Sequence, residues 1–463
     1  MELFTDKPGD EGLNGRERRL AMIAVMITTT MAVFDGSMVN IALPQIAQAL
    51  NVSAQAAVWV ANGYLLSAAM TLAIFAALAT RFGFRALFVF GLGVFTLASA
   101  GCALSTSLNM LTGFRILQGI GGAATLSIAP AILRSVFPNR LLGQILGLNA
   151  LLIAACTAVA PLLGGTLLST LGWEWLFAIN LPLGIIALLL ARRVIPAKTA
   201  REREPFDVAG ALLSALMLGA LIMTAEALSR PDKHLASALA FALVAAIAGC
   251  AFIWRIRRAP KPLLPPALFA SSRFSLAALT SLASFVSQGM TFVALPFLFQ
   301  SVYGYSAWAS ALLFTPWPLG IILAAPRAGR LADRHSPALI STIGLGLFAV
   351  GVALLALLPA DPSFWDIGLR SLVCGLGFGC FQSPNNREML GNASRENSGY
   401  ASGVLAIMRT FGQCLGAALV GTILSLWGHS DQALAVRLSL WVAVAATLFA
   451  LALSLSRTRF VRG

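Results

Sequence analysis

The sequence predicts an all-α integral membrane protein. About fourteen transmembrane helices are expected, as two pseudo-symmetric six-helix halves with a helix pair inserted between them. Three observations predict it. The chain is 58% hydrophobic and only 11% charged, with a mean hydropathy of +0.83, which excludes an ordinary soluble domain. Apolar runs of about 20 residues, long enough to cross a hydrocarbon core, recur throughout. Finally, the chain repeats itself about 253 residues on, by subtraction of residue numbers. Ile41-Ala42-Leu43-Pro44 recurs as Val293-Ala294-Leu295-Pro296, and Arg115 to Pro130 as Arg370 to Pro384. Leu78-Ala79-Thr80-Arg81-Phe82-Gly83 recurs as Leu331-Ala332-Asp333-Arg334-His335-Ser336.

The apolar runs begin near Leu20, Ala57, Ala86, Met110, Leu142, Trp175, Val208, Leu235, Ser275, Ala309, Ala338, Ile367, Ala401 and Leu434. Six of them plus loops fill residues 20–191, so the repeat offset leaves room for the inserted pair. The expected division is a tail at 1–19, a first half at 20–191, a polar linker at 192–207, the inserted pair at 208–254, a second linker at 255–274, a second half at 275–455 and a tail at 456–463. Alternate loops collect basic clusters, among them Arg16, Arg18 and Arg19, then Arg192, Arg193 and Lys198, then Arg255, Arg257, Arg258 and Lys261. The other side has only Arg230, Lys233 and Arg437. This bias places both termini in the cytoplasm. No cleavable signal peptide is expected, because the first apolar run is long and lacks a small-residue cleavage pattern.

The net charge of +14 sits at helix ends, where it orients the chain in the bilayer; no nucleic-acid partner is expected. Cys102, Cys156, Cys250, Cys374, Cys380 and Cys414 all lie in apolar runs without zinc or redox spacing. His234, His335 and His429 form no cluster. No metal or cofactor is expected, nor an enzyme: there is no nucleophile elbow, phosphate loop or carboxylate pair at catalytic spacing.

One carboxylate stands out. Asp35 lies about 22 Å along the helix that begins at Leu20, past the midplane of a core about 30 Å thick. A charge there costs from about 2.5 to over 10 kcal/mol, which makes it a functional candidate. The other deep polar groups are Arg115, Gln118, Gln288 and Arg409, with Asn40, Asn149, Gln300, Gln382 and Asn385 as further candidates. Arg115 is a permanent cation that must be paired or face water. It suits either a partner in proton transfer or a hydrogen-bond hub for backbone carbonyls. Gln288 stands at the repeat-related position of Asp35 and is expected to line the same cavity. Glu226 falls near the outer end of its helix, where a solvated carboxylate is expected.

Several motifs occur in order. They are Asp35…Asn40-Ile41-Ala42-Leu43-Pro44; Trp59 with Tyr64-Leu65-Leu66; Arg115-Ile116-Leu117-Gln118-Gly119-Ile120-Gly121-Gly122-Ala123; Ala160-Pro161-Leu162-Leu163-Gly164-Gly165; and Trp173-Glu174-Trp175-Leu176-Phe177-Ala178-Ile179-Asn180-Leu181-Pro182-Leu183-Gly184. Over nearly its whole length the chain resembles the major facilitator superfamily, and within it the 14-spanner drug:proton antiporters. The resemblance implies the major facilitator fold and proton-driven export of drugs through the bacterial inner membrane. It also implies a proton-transfer role for Arg115 and an antiporter motif at Pro161, Gly164 and Gly165. Pro161 removes a backbone donor and the two glycines soften the same turn, which suits close packing with a gating consequence. Arg409 before Gly412 and Gly416 fits the family's pattern in span 13.

The cytoplasmic gate motif matches in its second copy, Gly329 to Arg334 with Asp333. The first copy keeps Arg81, Gly83 and Arg85 but carries Thr80 where the family has aspartate. Thr80 supplies no charge, so Asp333 is expected to carry more of the gate.

The implied mechanism uses the proton gradient as its only energy source. Low-dielectric burial favours the neutral form of a carboxyl group, so Asp35 is expected to take a proton from outside and release it when a cationic or amphipathic drug arrives from inside. Phe34, Met38 and Tyr64 suit varied apolar shapes, while each taken singly is better read as ordinary lipid or core packing. The expected partners are a drug-like molecule, protons and the lipid bilayer, for a chain acting as a monomer. The alternatives are an exporter of a specific metabolite or amphipathic anion, and a transporter-like sensor that moves nothing.

Overall fold

A computed structural model describes residues 4–10, 12–138, 141–197, 206–229, 235–332, 334–392 and 398–459. The described chain is helical, without strands. The helices are α1 (Gly15–Ala49), α2 (Ala54–Phe82), α3 (Phe84–Ala103), α4 (Leu108–Val136), α5 (Leu142–Thr170), α6 (Trp175–Ala178), α7 (Asn180–Val194), α8 (Val208–Ser229), α9 (Leu235–Arg258) and α10 (Pro266–Ala270). The second half comprises α11 (Ser272–Pro296), α12 (Ala307–Phe314), α13 (Pro316–Leu331), α14 (Pro337–Ala356), α15 (Phe364–Gly391), α16 (Ser398–Trp427) and α17 (Gln432–Arg459). Thirteen segments are long and apolar enough to cross a membrane among the described residues, and α5 supplies the fourteenth position. Several helices outrun the expected boundaries: α1 starts at Gly15, α9 continues to Arg258 and α17 to Arg459.

Local chemistry sets many of the ends. Asn14, Ser53, Ser107, Ser271 and Ser306 each accept a hydrogen bond from an amide of the following first turn, which satisfies donors that a helix start leaves open. Between α2 and α3 the chain reverses at Gly83, whose φ of 91° is closed to side chains with a Cβ. Three breaks went unforeseen. Span six splits at Ile179 into α6 and α7, span ten splits at Thr315 into α12 and α13, and α11 runs on into a π-helical turn, Phe297–Val302.

The repeat is visible in the packing. In the first half α4 packs on α2 and α3, and α1 on α5 and α7; in the second, α15 packs on α13 and α14, and α11 on α16 and α17. The halves share one hydrophobic core at the end away from the chain termini, where Met38, Ile41 and Ile46 of α1 join Val293, Leu298 and Ala307. At the basic end, which carries both termini, the cores separate. One holds Ala21, Ile132 and Ala191 of the first half, another Phe274, Met389 and Val404 of the second. The bundle is thus fastened at its far end and along a seam between α2 and α16, where Ala68 and Leu72 meet Ile407.

The inserted pair lies outside this seam. Helix α8 packs on α2 and α16, and α9 mainly on α8. Asp207 locks its base. It accepts from the Gly210 amide at 3.0 Å, Arg255 at 2.9 Å and the Leu263 amide at 3.4 Å. Burial pushes the Asp207 carboxyl up, but these three donors outweigh it and hold the group below its ordinary value of 3.8. A carboxyl depressed on folding stabilises above its ordinary value and stops doing so as the pH falls through the lower, folded value. Asp207→Asn is therefore expected to lower stability by about 1 kcal/mol at neutral pH. The difference from the unsubstituted protein should shrink below about pH 4, as read by thermal melting in detergent at both pH values; a pH-independent difference would remove the charge from the explanation.

Candidate functional site

Four helices of the first half, α1, α3, α4 and α7, bring their polar groups to one point. Asp35 of α1, Arg115 and Gln118 of α4, and Asn180 at the start of α7 are each buried. Arg115 Nη1 donates to Asp35 Oδ2 at 2.5 Å and to Gln118 Oε1 at 2.6 Å, while its Nε donates to the Val60 carbonyl at 2.8 Å. Gln118 Nε2 donates to Asp35 Oδ1 at 2.8 Å and to Ser99 at 2.9 Å. Asn180 Nδ2 reaches Ser99 at 3.3 Å and Asp35 Oδ1 at 3.5 Å. The Asp35 side chain is 0% exposed and that of Arg115 1%. Removing two charges from water costs several kcal/mol each unless the remaining lone pairs and protons are bonded, and this shell bonds them.

The aromatic groups complete the enclosure. The Arg115 guanidinium lies over the Tyr64 ring at 4.6 Å and over the Phe177 ring at 5.5 Å, an arrangement that favours a desolvated cation. The glycines of α4 make the approach possible. A Cβ on Gly119 would collide with Ser67 Oγ and the Tyr64 carbonyl, and one on Gly122 would lie 2.7 Å from the Tyr64 hydroxyl. Gly121 does the same toward α3, at 2.6 Å from the Gly91 carbonyl. The glycine run thus lets α2 and α3 press against α4.

Asp35, Arg115, Gln118 and Tyr64 therefore come together. Asn40 does not join them: it lies five residues further along α1, half-buried. Gln288 is also separate. It accepts from Gln413 of α16 at 3.0 Å, so its repeat-related position does not put it in the Asp35 network. Gln300 donates to the Ile41 carbonyl at 2.9 Å and helps fasten the far end. Arg409 of α16 is half-buried and has no hydrogen bond or ion pair among the described residues.

The antiporter-motif residues split between two interfaces. Pro161 is buried in α5. A Cβ on Gly164 would meet Met38 of α1 at 3.0–3.1 Å, whereas one on Gly165 would meet Ala307, Trp308 and Ala311 of α12, each at 3.0 Å. Gly165 thus faces the other half. Gly165→Leu should wedge α5 from α12, and overpacking of about 1–3 kcal/mol shifts a two-state balance roughly five- to over a hundredfold. Transport should fall accordingly. A cysteine at Ala307, with Cys250 replaced, should become open to an impermeant thiol reagent. Unchanged flux and labelling would mean that this contact takes no part in closure.

Of the gate motif, Gly83 forms the α2–α3 turn described above, and Gly329 lies where a Cβ would come 2.9 Å from Ser383 Oγ. Arg85 is half-buried and Arg334 exposed. Asp333 and the side chains of Thr80 and Arg81 lie outside the described residues. Sequence reasoning missed Asn180 and Ser99 as members of the site. The available signal was an asparagine with fully apolar neighbours inside a span, opening its second segment.

Comparison with known proteins places the chain in one family. The Major Facilitator Superfamily profile matches residues 25–417. The chain is 42% identical to the uncharacterized transporter YebQ of Escherichia coli (strain K12), over 91% of this chain and 92% of that protein. It is 32% identical to the tetracenomycin C resistance and export protein of Streptomyces glaucescens, over 89% of this chain and 77% of that one. Among solved structures, a bacterial homolog of the human lysosomal transporter Spinster superposes with a TM-score of 0.69, at 15% identity and 98% coverage of both chains.

Proposed function

The chain belongs to the Major Facilitator Superfamily, a transporter family, and on that premise we propose that it exports amphipathic toxic compounds in exchange for protons. It works by alternating access in the bacterial inner membrane, as a monomer with both termini in the cytoplasm. The similarity to a resistance and export protein supports the direction and the class of cargo. The lysine and arginine bias supports the orientation.

The observation that carries the proposal is the closed network around Asp35. Both of its oxygens are engaged by the chain's own donors, so the ligand it can accept without dismantling the site is a proton. A proton on Asp35 cancels its attraction for Arg115 and leaves that guanidinium with Val60, Gln118 and two aromatic rings. Helices α1 and α4 then lose their ionic tie, and α3 and α7 share the network that it anchors. The far-end fastening and separated basic-end cores correspond, in this orientation, to an inward-open state. Loss of the tie is the local event that biases the switch between states. Tyr64 touches Arg115 from α2, the helix that also forms the seam with α16, and so links the proton site to the path between the halves.

The sequence-based mechanism had drug and proton compete directly for Asp35. With that carboxylate sealed at 0% exposure, the competition is indirect and passes through Arg115 and Tyr64. The test is flux: purified protein in liposomes should move a fluorescent amphipathic compound when a pH gradient is imposed, and should carry protons the other way. A chain that reconstitutes and binds compounds but moves none under any gradient would be a sensor instead.

A further inference from the structure

We propose that Arg409 is the recognition site for a negatively charged group, and that the cargo is an amphipathic organic anion. The proposal rests on the transport reading above and names the substrate class of that path. It begins with a charge count. Within the helices of the two halves, the carboxylates are Glu17 in the first turn of α1, Asp35 deep in the same helix, and Asp366 and Glu388 near the two ends of α15. Asp35 is already neutralised by Arg115 at 2.5 Å. Asp366 is held by Arg370 of its own helix at 2.9 Å. Arg409, within α16, has no ion pair among the described residues.

Its position suits a cargo site. Arg409 lies about 16 Å along α16 from Ser398, on the basic-end side of the Asp35 network. Gln413, one turn on, points to α11 and meets Gln288 there, while Ile407 and Phe411 of the same helix pack toward α2 and α8. Tyr64 lies within electrostatic range of Arg409. Tyr64 in turn lies against Arg115. Arg115 and Arg409 thus both act electrostatically on one phenol, from different halves of the protein.

An arginine inside a membrane-spanning helix is costly unless it is paired or reaches water, and half-buried Arg409 has no hydrogen bond or ion pair among the described residues, whereas Arg115 and Arg370 each hold a carboxylate. A ligand carboxylate, phenolate or sulfonate supplies the missing partner, and the planar guanidinium binds it through two parallel bonds. A cationic cargo meets repulsion at the same point. Because the anion bridges a residue of the second half to the Tyr64–Arg115 group of the first, its arrival is felt at the proton site.

The test uses two dyes of one ring system and opposite charge, fluorescein as the anion and rhodamine 6G as the cation. Binding is read by fluorescence anisotropy on the purified full-length protein. Fluorescein is expected to bind more tightly than rhodamine 6G. Arg409→Gln should weaken fluorescein binding at least about tenfold, as loss of a charge-assisted hydrogen bond does, and leave or improve that of rhodamine 6G. Arg409→Lys should restore part of the loss. Equal binding of the two dyes, or an Arg409→Gln variant that binds fluorescein normally or loses both dyes alike, overturns the proposal. Arg409-dependent binding without pH-driven flux would uphold this site and sink the exchange mechanism, so the two failures are distinguishable.

Discussion

Asp35→Asn is expected to abolish pH-driven export, to at least about a hundredfold below the unsubstituted protein, while the protein still inserts and folds. Asparagine keeps the size of the side chain and can still accept from Gln118. What it loses is the ability to exist in two charge states. With no proton to take up and release, the substituted protein should still bind cargo and exchange it across the membrane down its own gradient. Two assays in the same liposomes separate these functions: flux under an imposed pH gradient, and equilibrium exchange of labelled for unlabelled compound. Lost gradient response with retained exchange is the expected pattern. Normal pH-driven export by the variant would end the case for Asp35 as the coupling group. The substitution also strands the Arg115 cation in a dry site, and breaking a buried pair costs about 3–5 kcal/mol. A lower melting temperature is therefore part of the expectation.

Arg115→Ala is expected to stop transport as completely and to destabilise at least as much. It removes the counter-ion of Asp35, the donor to Val60 and the cation over Tyr64 and Phe177 together. A structural hub and a coupling partner predict the same loss for this single change, so the double variant Asp35→Asn with Arg115→Met decides between them. Replacing a buried ion pair by uncharged groups of similar volume is often neutral or stabilising. If the pair serves only to hold α1 against α4, the double variant should recover both stability and pH-driven transport. If it couples protons, stability should return while the response to a pH gradient stays lost. The second outcome is expected, because Asp35 is the one carboxylate set deep in either half.

The gate shows where sequence patterns stop short. The contrast between Thr80 and Asp333 is plain in the sequence, and its consequence depends on side chains that lie outside the described residues. The repeat shows a different limit. Its offset predicted the pairing of helices in both halves, since equivalent apolar faces bury against equivalent neighbours. It also relates Gln288 to Asp35, and the two positions have different partners. Gln288 has a neutral partner on α16, whereas Asp35 has a cation on α4, so the backbone is repeated while the chemistry is not.

Much of this protein is determined by quantities local to the sequence. Apolar run length determines that it spans a bilayer and roughly how often. The alternation of basic loops orients it, and the cost of a charge in hydrocarbon singles out Asp35, Arg115 and Arg409. None of these requires knowing which helices touch. Only the tertiary structure decided the partners: that Arg115 closes on Asp35, that Ser99 and Asn180 complete the shell, that Gly164 and Gly165 face different helices, and that Arg409 has no counter-ion among the described residues. The reason is geometric. Position along a helix follows from counting residues, but the neighbour a side chain meets depends on the rotation and register of helices distant in sequence. Those are set by the packing of the whole bundle rather than by any one stretch of it.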